Sequence, residues 1–405
     1  MRPSCLHLKA RYVDTAMARR IVLAIVPTVF AFLSACGSSS APTNSGPSGT
    51  APVQPTKADV KAPELGTGDH SPDSVTFTEI AVASAGLKTP RDLAFNPVRP
   101  DELWVVNLGD ESAVIIHDAS TDGRTTERRK DADAAHFMAK PSALAFGQDA
   151  TTIGKLGTFA TCGESRDTMD DTMPARDFMG PALWSSDPTV FAKQNPHQLG
   201  SHLDMLHCSP LCVGIAHETG NAYWTFAGKT NSIVRYDFHK DNGIGNDDHS
   251  DGEAADFVRG QVKYSKGIPS HLFFNDTDGM LYIADTGNAR IVKLDPKSGK
   301  RGADLTPMEP MDAYYKVDSA ALTDVVSADS GAVQSPSGLE IKNDFIYVSD
   351  NATSRITAFT LTGEQVNYLD TGLPAGSLSG MNFGPDGKLY FVDMIGNRVV
   401  RIDSK

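Results

Sequence analysis

Missing from the 405-residue chain are the compact catalytic signatures: there is no GxSxG elbow, no HExxH, no paired CxxC and no EF-hand spacing. Their absence removes the strand–turn–helix serine nucleophile, the zinc-binding protease helix and the dedicated calcium loop as starting points. Long hydrophobic runs are also scarce. The one sustained apolar stretch, residues 21–33, is too short to span a bilayer comfortably. Positive charge is in deficit, with 37 Lys and Arg against 50 Asp and Glu and a net charge of −13. Such a balance argues against nucleic acid and anionic lipid surfaces as partners. Cysteine is sparse: Cys5, Cys36, Cys162, Cys208 and Cys212 are the whole set.

What is present begins with a targeting pattern. Arg19-Arg20, the apolar run and the small residues Ser34-Ala35 before Cys36 are the parts of a secretory signal. The ending Leu33-Ser34-Ala35-Cys36 resembles the lipobox of bacterial lipoproteins, which implies cleavage before Cys36 and acylation of that cysteine. Several acyl chains on one residue anchor far better than one. With Gly37 rather than Asp after the cysteine, the resemblance places the protein in the cell envelope, at the outer membrane in a Gram-negative cell. Met17 also makes a tidy start, and Cys5 then carries no meaning. Removal of 1–35 takes away five cations and one Asp, so the mature charge becomes −13 − 4 = −17. Residues 36–74 are rich in Ser, Pro and Gly and are expected to be a disordered tether. Of the three remaining cysteines, one pair is expected to form a disulfide in an exported protein, the pairing being open.

From residue 75 onward the chain repeats. In the clearest copy, Ile268 to Phe274 is followed by Asp278-Gly279, then Leu281-Tyr282-Ile283-Ala284-Asp285, then Asn288-Ala289-Arg290-Ile291. That order reads as strand, turn, strand, turn, strand. It recurs from Pro90, Pro141, Cys212, Pro336 and Ser379, at periods of roughly 42 to 70 residues. Such units cannot bury both faces alone and stack into a closed ring, so the expected fold is an all-β, six-bladed β-propeller. The last copy ends after three strands at Asp403. The alternating segment Val75 to Val82 is expected to supply the missing outer strand and close the ring.

These motifs resemble the NHL repeat family, whose signature runs Pro-x-Gly-Leu-Ala, Leu-Tyr-Val-Ala-Asp, Asn-x-Arg-Ile. The likeness is strong in copies four to six and weak in copy two, where Cys162 stands in place of the repeat Asp. It implies a fold and leaves the function open.

Candidate chemistry concentrates in one arc. Seven of the eleven histidines lie between His197 and His271. His202, Asp204 and His207 precede the third copy, His217 lies within it, and the polar loop from Asp237 carries His239, Asp241, Asp247, Asp248 and His249. Imidazole with carboxylate suits zinc, and carboxylate with backbone carbonyl suits calcium, so both cofactors are open, beside the reading of a plain solvated loop. Alignment of the inner strands puts Asp92, Ala143, Gly214, His271, Gly338 and Gly380 at one level, on blades where the first and fourth face each other. One residue earlier stand Arg91, Ser142, Val213, Ser270, Ser337 and Ser379. This small-residue ring is expected to leave room for a ligand held by Arg91, Asp92 and His271, the competing reading being an Arg91–Asp92 ion pair that caps the tunnel. The insertion from Asp177 to Trp184 is expected to be the outer strand of blade two, the competing reading being a lid over the channel.

Pro269-Ser270-His271-Leu272 is similar to the Pro-His-x-Leu motifs of peptidyl-hydroxyglycine amidating lyase, a zinc propeller. Here the histidine is shifted by one, which changes the face it points to, and Arg91, Ser142, Ser337 and Ser379 occupy the other copies. Two functions follow as expectations. One is a monomeric binding module for a peptide, glycan or small molecule; the other is a metal-dependent lyase or hydrolase with His271, His207 and His217 as ligands and Arg91 or Asp92 moving protons.

Overall fold

A computed structural model describes residues 60–147, 157–168, 175–193, 199–246 and 248–405. They form the six-bladed β-propeller, each blade an antiparallel meander running outward from the axis. The inner strands are Pro90–Asn96, Pro141–Phe146, Cys212–Thr219, Leu272–Asn275, Pro336–Lys342 and Leu378–Phe383. Val75–Ala81 pairs with the final strand, Arg398–Ser404, in antiparallel register, Phe77 opposite Ile402. The first and last segments of the propeller thus complete one blade, and the ring closes without a long free edge there.

Six apolar clusters, one for each junction between neighbouring blades, make up the core of the described residues. The junction of blades one and two is the most aromatic, with Trp104, Phe159, Trp184 and Phe191 all fully buried. Alternation along each strand sends these side chains to both faces, and each face needs a neighbouring blade to cover it.

The repeat motif has a local cause. Asp285 ends a second strand and accepts from Lys263 N–H, Asn288 Nδ2 and Arg290 Nε, clamping the incoming loop to the next turn. Asp350 does the same for Gln334, Ser335, Ala352 and Thr353 N–H groups. Charge-assisted bonds of this kind are stronger than neutral ones and hold an otherwise irregular loop. In blade two the register puts Gly163 at that place, since Pro141 pairs with Gly163 as Pro336 pairs with Asp350; Cys162, expected there, stands one residue earlier and forms a disulfide with Cys212, the first residue of the next inner strand. Cys208 is the free, buried cysteine.

Three expectations change in detail. Ala182–Ser185 is the third strand of blade two, and the outer strand is His202–Met205. Trp184 of this third strand packs into the aromatic junction, so the strand's apolar pattern is that of a covered position. The stretch 61–74, expected as the end of the tether, packs on the ring: Ala62 and Leu65 are buried, and Glu64 accepts from Tyr347 Oη at 2.7 Å and pairs with Lys342 at 3.0 Å. Blade three also carries more than its own strands. The hairpin Lys300–Asp304 and Ala313–Asp318, which arises between the third and outer strands of blade four, crosses to pair in parallel with Glu253–Phe257 and extends blade three to six strands. Cys36, the signal-like segment before it and Asp247 lie outside the described residues.

Candidate functional site

The ring of small residues is small because the backbones crowd there. A Cβ on Gly214 would meet Ser270 O at 1.9 Å, one on Gly338 would meet Ser379 O at 2.3 Å, and one on Gly380 would meet Asp92 Oδ1 at 2.2 Å. The neighbouring serines are buried staples. Ser142 Oγ donates to Cys212 O at 2.6 Å, Ser337 Oγ to Pro269 O at 2.8 Å and Ser379 Oγ to Arg91 O at 2.6 Å, each crossing to an adjacent blade. The expected ligand room is therefore absent at this level, where the inner strands are tied together. It opens further along the same strands.

There a cavity of about 330 Å³ is lined from all six blades, among others by Asp92, Phe146, His217, His271, Glu340 and Asn382. Its volume lies at the small end of ligand pockets. Asp92 accepts from the Leu93 N–H at 2.8 Å and the Leu144 N–H at 2.9 Å, and its Oδ1 lies 3.4 Å from His271 Nδ1. Burial raises the Asp92 carboxyl above the ordinary carboxylate range, against the pull of His271 and these two donors. His271 Nε2 is buried and without a partner. Glu340 is pushed up to about 8, first by burial and then by the nearby Asp92, with a hydrogen bond to Asn382 opposing. None of the lining residues is Lys or Arg.

Arg91 does not share this pocket. Adjacent strand residues point to opposite sides, and its guanidinium donates to Gly267 O and lies 3.9 Å from Glu164. Glu164 in turn accepts from Tyr264 Oη and the Gly267 N–H. Neither the expected grip on a shared ligand nor the competing Arg91–Asp92 ion pair is formed: each residue has a different partner.

The histidine arc also separates. His217 lines the channel pocket, its ring nitrogen Nε2 bonded to Gly220 O at 2.9 Å. His202 is buried, stacked on Phe137 at 3.5 Å, with Nδ1 against Leu199 O. His239 is half-exposed beside Asp237. Asp241 accepts from Gly243 N–H, and Asp248 accepts from Ser250 N–H and Oγ, so both carboxylates close turns of their own loop. Of His271, His207 and His217, expected as one ligand set, His271 and His217 both line the channel cavity, while His207 lies outside it. Among the described residues the only convergent set of three is His207, His249 and Glu309. Glu309 lay outside the sequence reading; it arrives on the connection between the two strands of the blade-four hairpin, which no repeat pattern announces.

No protein-family model matches the chain, and no curated protein matches it. Among solved structures, a gluconolactonase from Xanthomonas campestris is similar at TM-score 0.49 and 11% identity, covering 82% of this chain and 90% of that one. An auxiliary nutrient binding protein from Bacteroides ovatus is similar at TM-score 0.48 and 13% identity, covering 78% of this chain and 69% of that one. A virginiamycin B lyase from Staphylococcus aureus is similar at TM-score 0.45 and 12% identity, over 81% of this chain and 85% of that one.

Proposed function

We propose that the protein is an envelope-tethered propeller lipoprotein of NHL type that binds a small amine-bearing ligand at its channel mouth. The observation that carries the ligand class is the lining of the 330 Å³ cavity: Asp92, Glu340 and Asp276 with aromatic Phe95, Phe146 and Phe273, and neither Lys nor Arg. Carboxylates with aromatic faces recognise an ammonium by charge and by cation–π attraction, and repel an anion. Glu218, also in the lining, is already paired with Arg235 at 2.7 Å and adds less. The lipid anchor on Cys36 and the envelope location rest on the sequence pattern alone.

Binding is preferred to metal-dependent catalysis because His207, the third histidine expected for such a site, lies away from the channel cavity that His271 and His217 line. A thermal-shift panel of small primary amines, neutral sugars and carboxylates tests the reading. Amines are expected to raise the melting temperature in proportion to ligand concentration over Kd, and Glu340→Gln to weaken that rise. Equal stabilisation by carboxylates or sugars, or none by any amine, overturns it.

A further inference from the structure

The geometry points to a second site, remote from the channel: His207, His249 and Glu309 bind a divalent metal of the zinc class. Two imidazoles and one carboxylate, with a fourth position left to solvent, form a ligand set that zinc favours. The candidate ligand atoms all lie within 4.8 Å of one another. Glu309 Oε2 is 2.5 Å from His207 Nδ1 and 3.7 Å from His249 Nε2. Tetrahedral ligands at about 2.0–2.1 Å from zinc stand about 3.3 Å apart. The first pair must therefore open, and the second close, by less than an ångström.

The surroundings hold these groups in the orientation a metal needs. Glu309 Oε1 accepts from the His207 backbone N–H at 2.7 Å, which leaves Oε2 turned toward the two rings. His249 Nδ1 lies 3.2 Å from Asp204 Oδ1, so a carboxylate fixes the ring whose other nitrogen faces Glu309. Such carboxylate–histidine–metal relays set both tautomer and ring plane. Phe178 stacks on the His207 ring at 3.6 Å and 7°. A cleft of about 310 Å³ lined by His207 and Met308 borders the site on one side. In the oxidising envelope setting proposed above, redox-inert zinc fits better than a redox-active metal.

The three ligands come from far-separated segments. His207 follows the outer strand of blade two, His249 precedes the outer strand of blade three, and Glu309 sits in the hairpin that blade four lends to blade three. A metal there would lock that hairpin to its host blade.

The test uses the full chain without a histidine tag, stripped with a chelator and titrated with zinc chloride, with bound metal counted after desalting. One zinc per chain is expected, together with slower hydrogen exchange across residues 300–318. His249→Ala and the near-isosteric Glu309→Gln should each weaken binding at least 100-fold while keeping the unliganded melting temperature within a few degrees. Asp204→Asn should weaken it about 10- to 100-fold, and His271→Ala should leave it unchanged. Failure of the wild type to retain zinc, or retention of full affinity by the folded Glu309→Gln variant, overturns the assignment. Loss on His271→Ala alone would move the metal to the channel and equally overturn it.

Discussion

Asp92 of the first blade and His271 of the fourth meet across the channel, Asp92 Oδ1 standing 3.4 Å from His271 Nδ1. Two blades that face each other in the ring are thus joined at the level where the inner strands crowd most closely. Both residues line the ligand cavity, while the adjacent Arg91 turns to Glu164 and, through it, Tyr264; His271 Nε2 is left as an unpartnered nitrogen.

Asp92 holds backbone as well as His271, and its loss should be felt in stability. Asp92→Ala strands the Leu93 and Leu144 N–H groups and is expected to cost about 1–3 kcal/mol. Asp92→Asn, which keeps one acceptor, should cost less. Urea unfolding with an unchanged slope measures both. A wild-type midpoint for Asp92→Ala would show that the carboxylate serves the ligand alone.

Glu340 predicts a pH dependence of definite sign. Its folded value of about 8 stands above the ordinary 4.5, so the folded state holds the proton more tightly than the unfolded chain. The stabilisation is full below about pH 4.5 and is lost as pH rises through about 8. Glu340→Gln should match the wild type near pH 4 and exceed it near pH 9, by roughly 1–3 kcal/mol once partial solvent screening is allowed for. Parallel stability curves for the two proteins would contradict this.

The two folded-state cysteine environments should behave differently. Reduction of Cys162–Cys212, or the double change to Ser, is expected to cost about 2–4 kcal/mol. Burial raises the Cys208 thiol well above its usual value, so alkylation of Cys208 should need unfolding. Mass spectrometry of alkylated protein with and without denaturant reads this directly, and rapid native modification would contradict it.

The proposed lipid anchor makes Cys36 the residue that sets the location. Cys36→Ser should move the protein from the membrane fraction to the soluble one, and a variant that stays with the membrane would remove the lipid anchor from the account.

The ring was legible because each blade announces itself locally. Asp285, Asp350 and Asp393 each end a strand and clamp their own turns, so a short motif suffices to place them. Closure was legible from one strand too few at the end and one too many at the beginning. The sites were less so. Gly214, Gly338 and Gly380 read as open space, yet a neighbouring carbonyl or carboxylate fills it; residue size alone does not tell a cavity from a close approach. Arg91 and Asp92 are adjacent in sequence and serve separate networks, because a strand alternates its sides. Glu309 reaches His207 and His249 only through a hairpin that changes blades, a crossing with no signature in the repeat.

The amine-binding claim is tested most directly by the protons that binding moves. At pH 7 Glu340 is largely protonated, so a bound ammonium should displace close to one proton from it. Calorimetric titration of a small primary amine in buffers of different ionisation enthalpy counts that proton. Release of about one proton by the wild type and almost none by Glu340→Gln is the predicted result. Binding with no proton release, or with the same release in both proteins, would contradict the account.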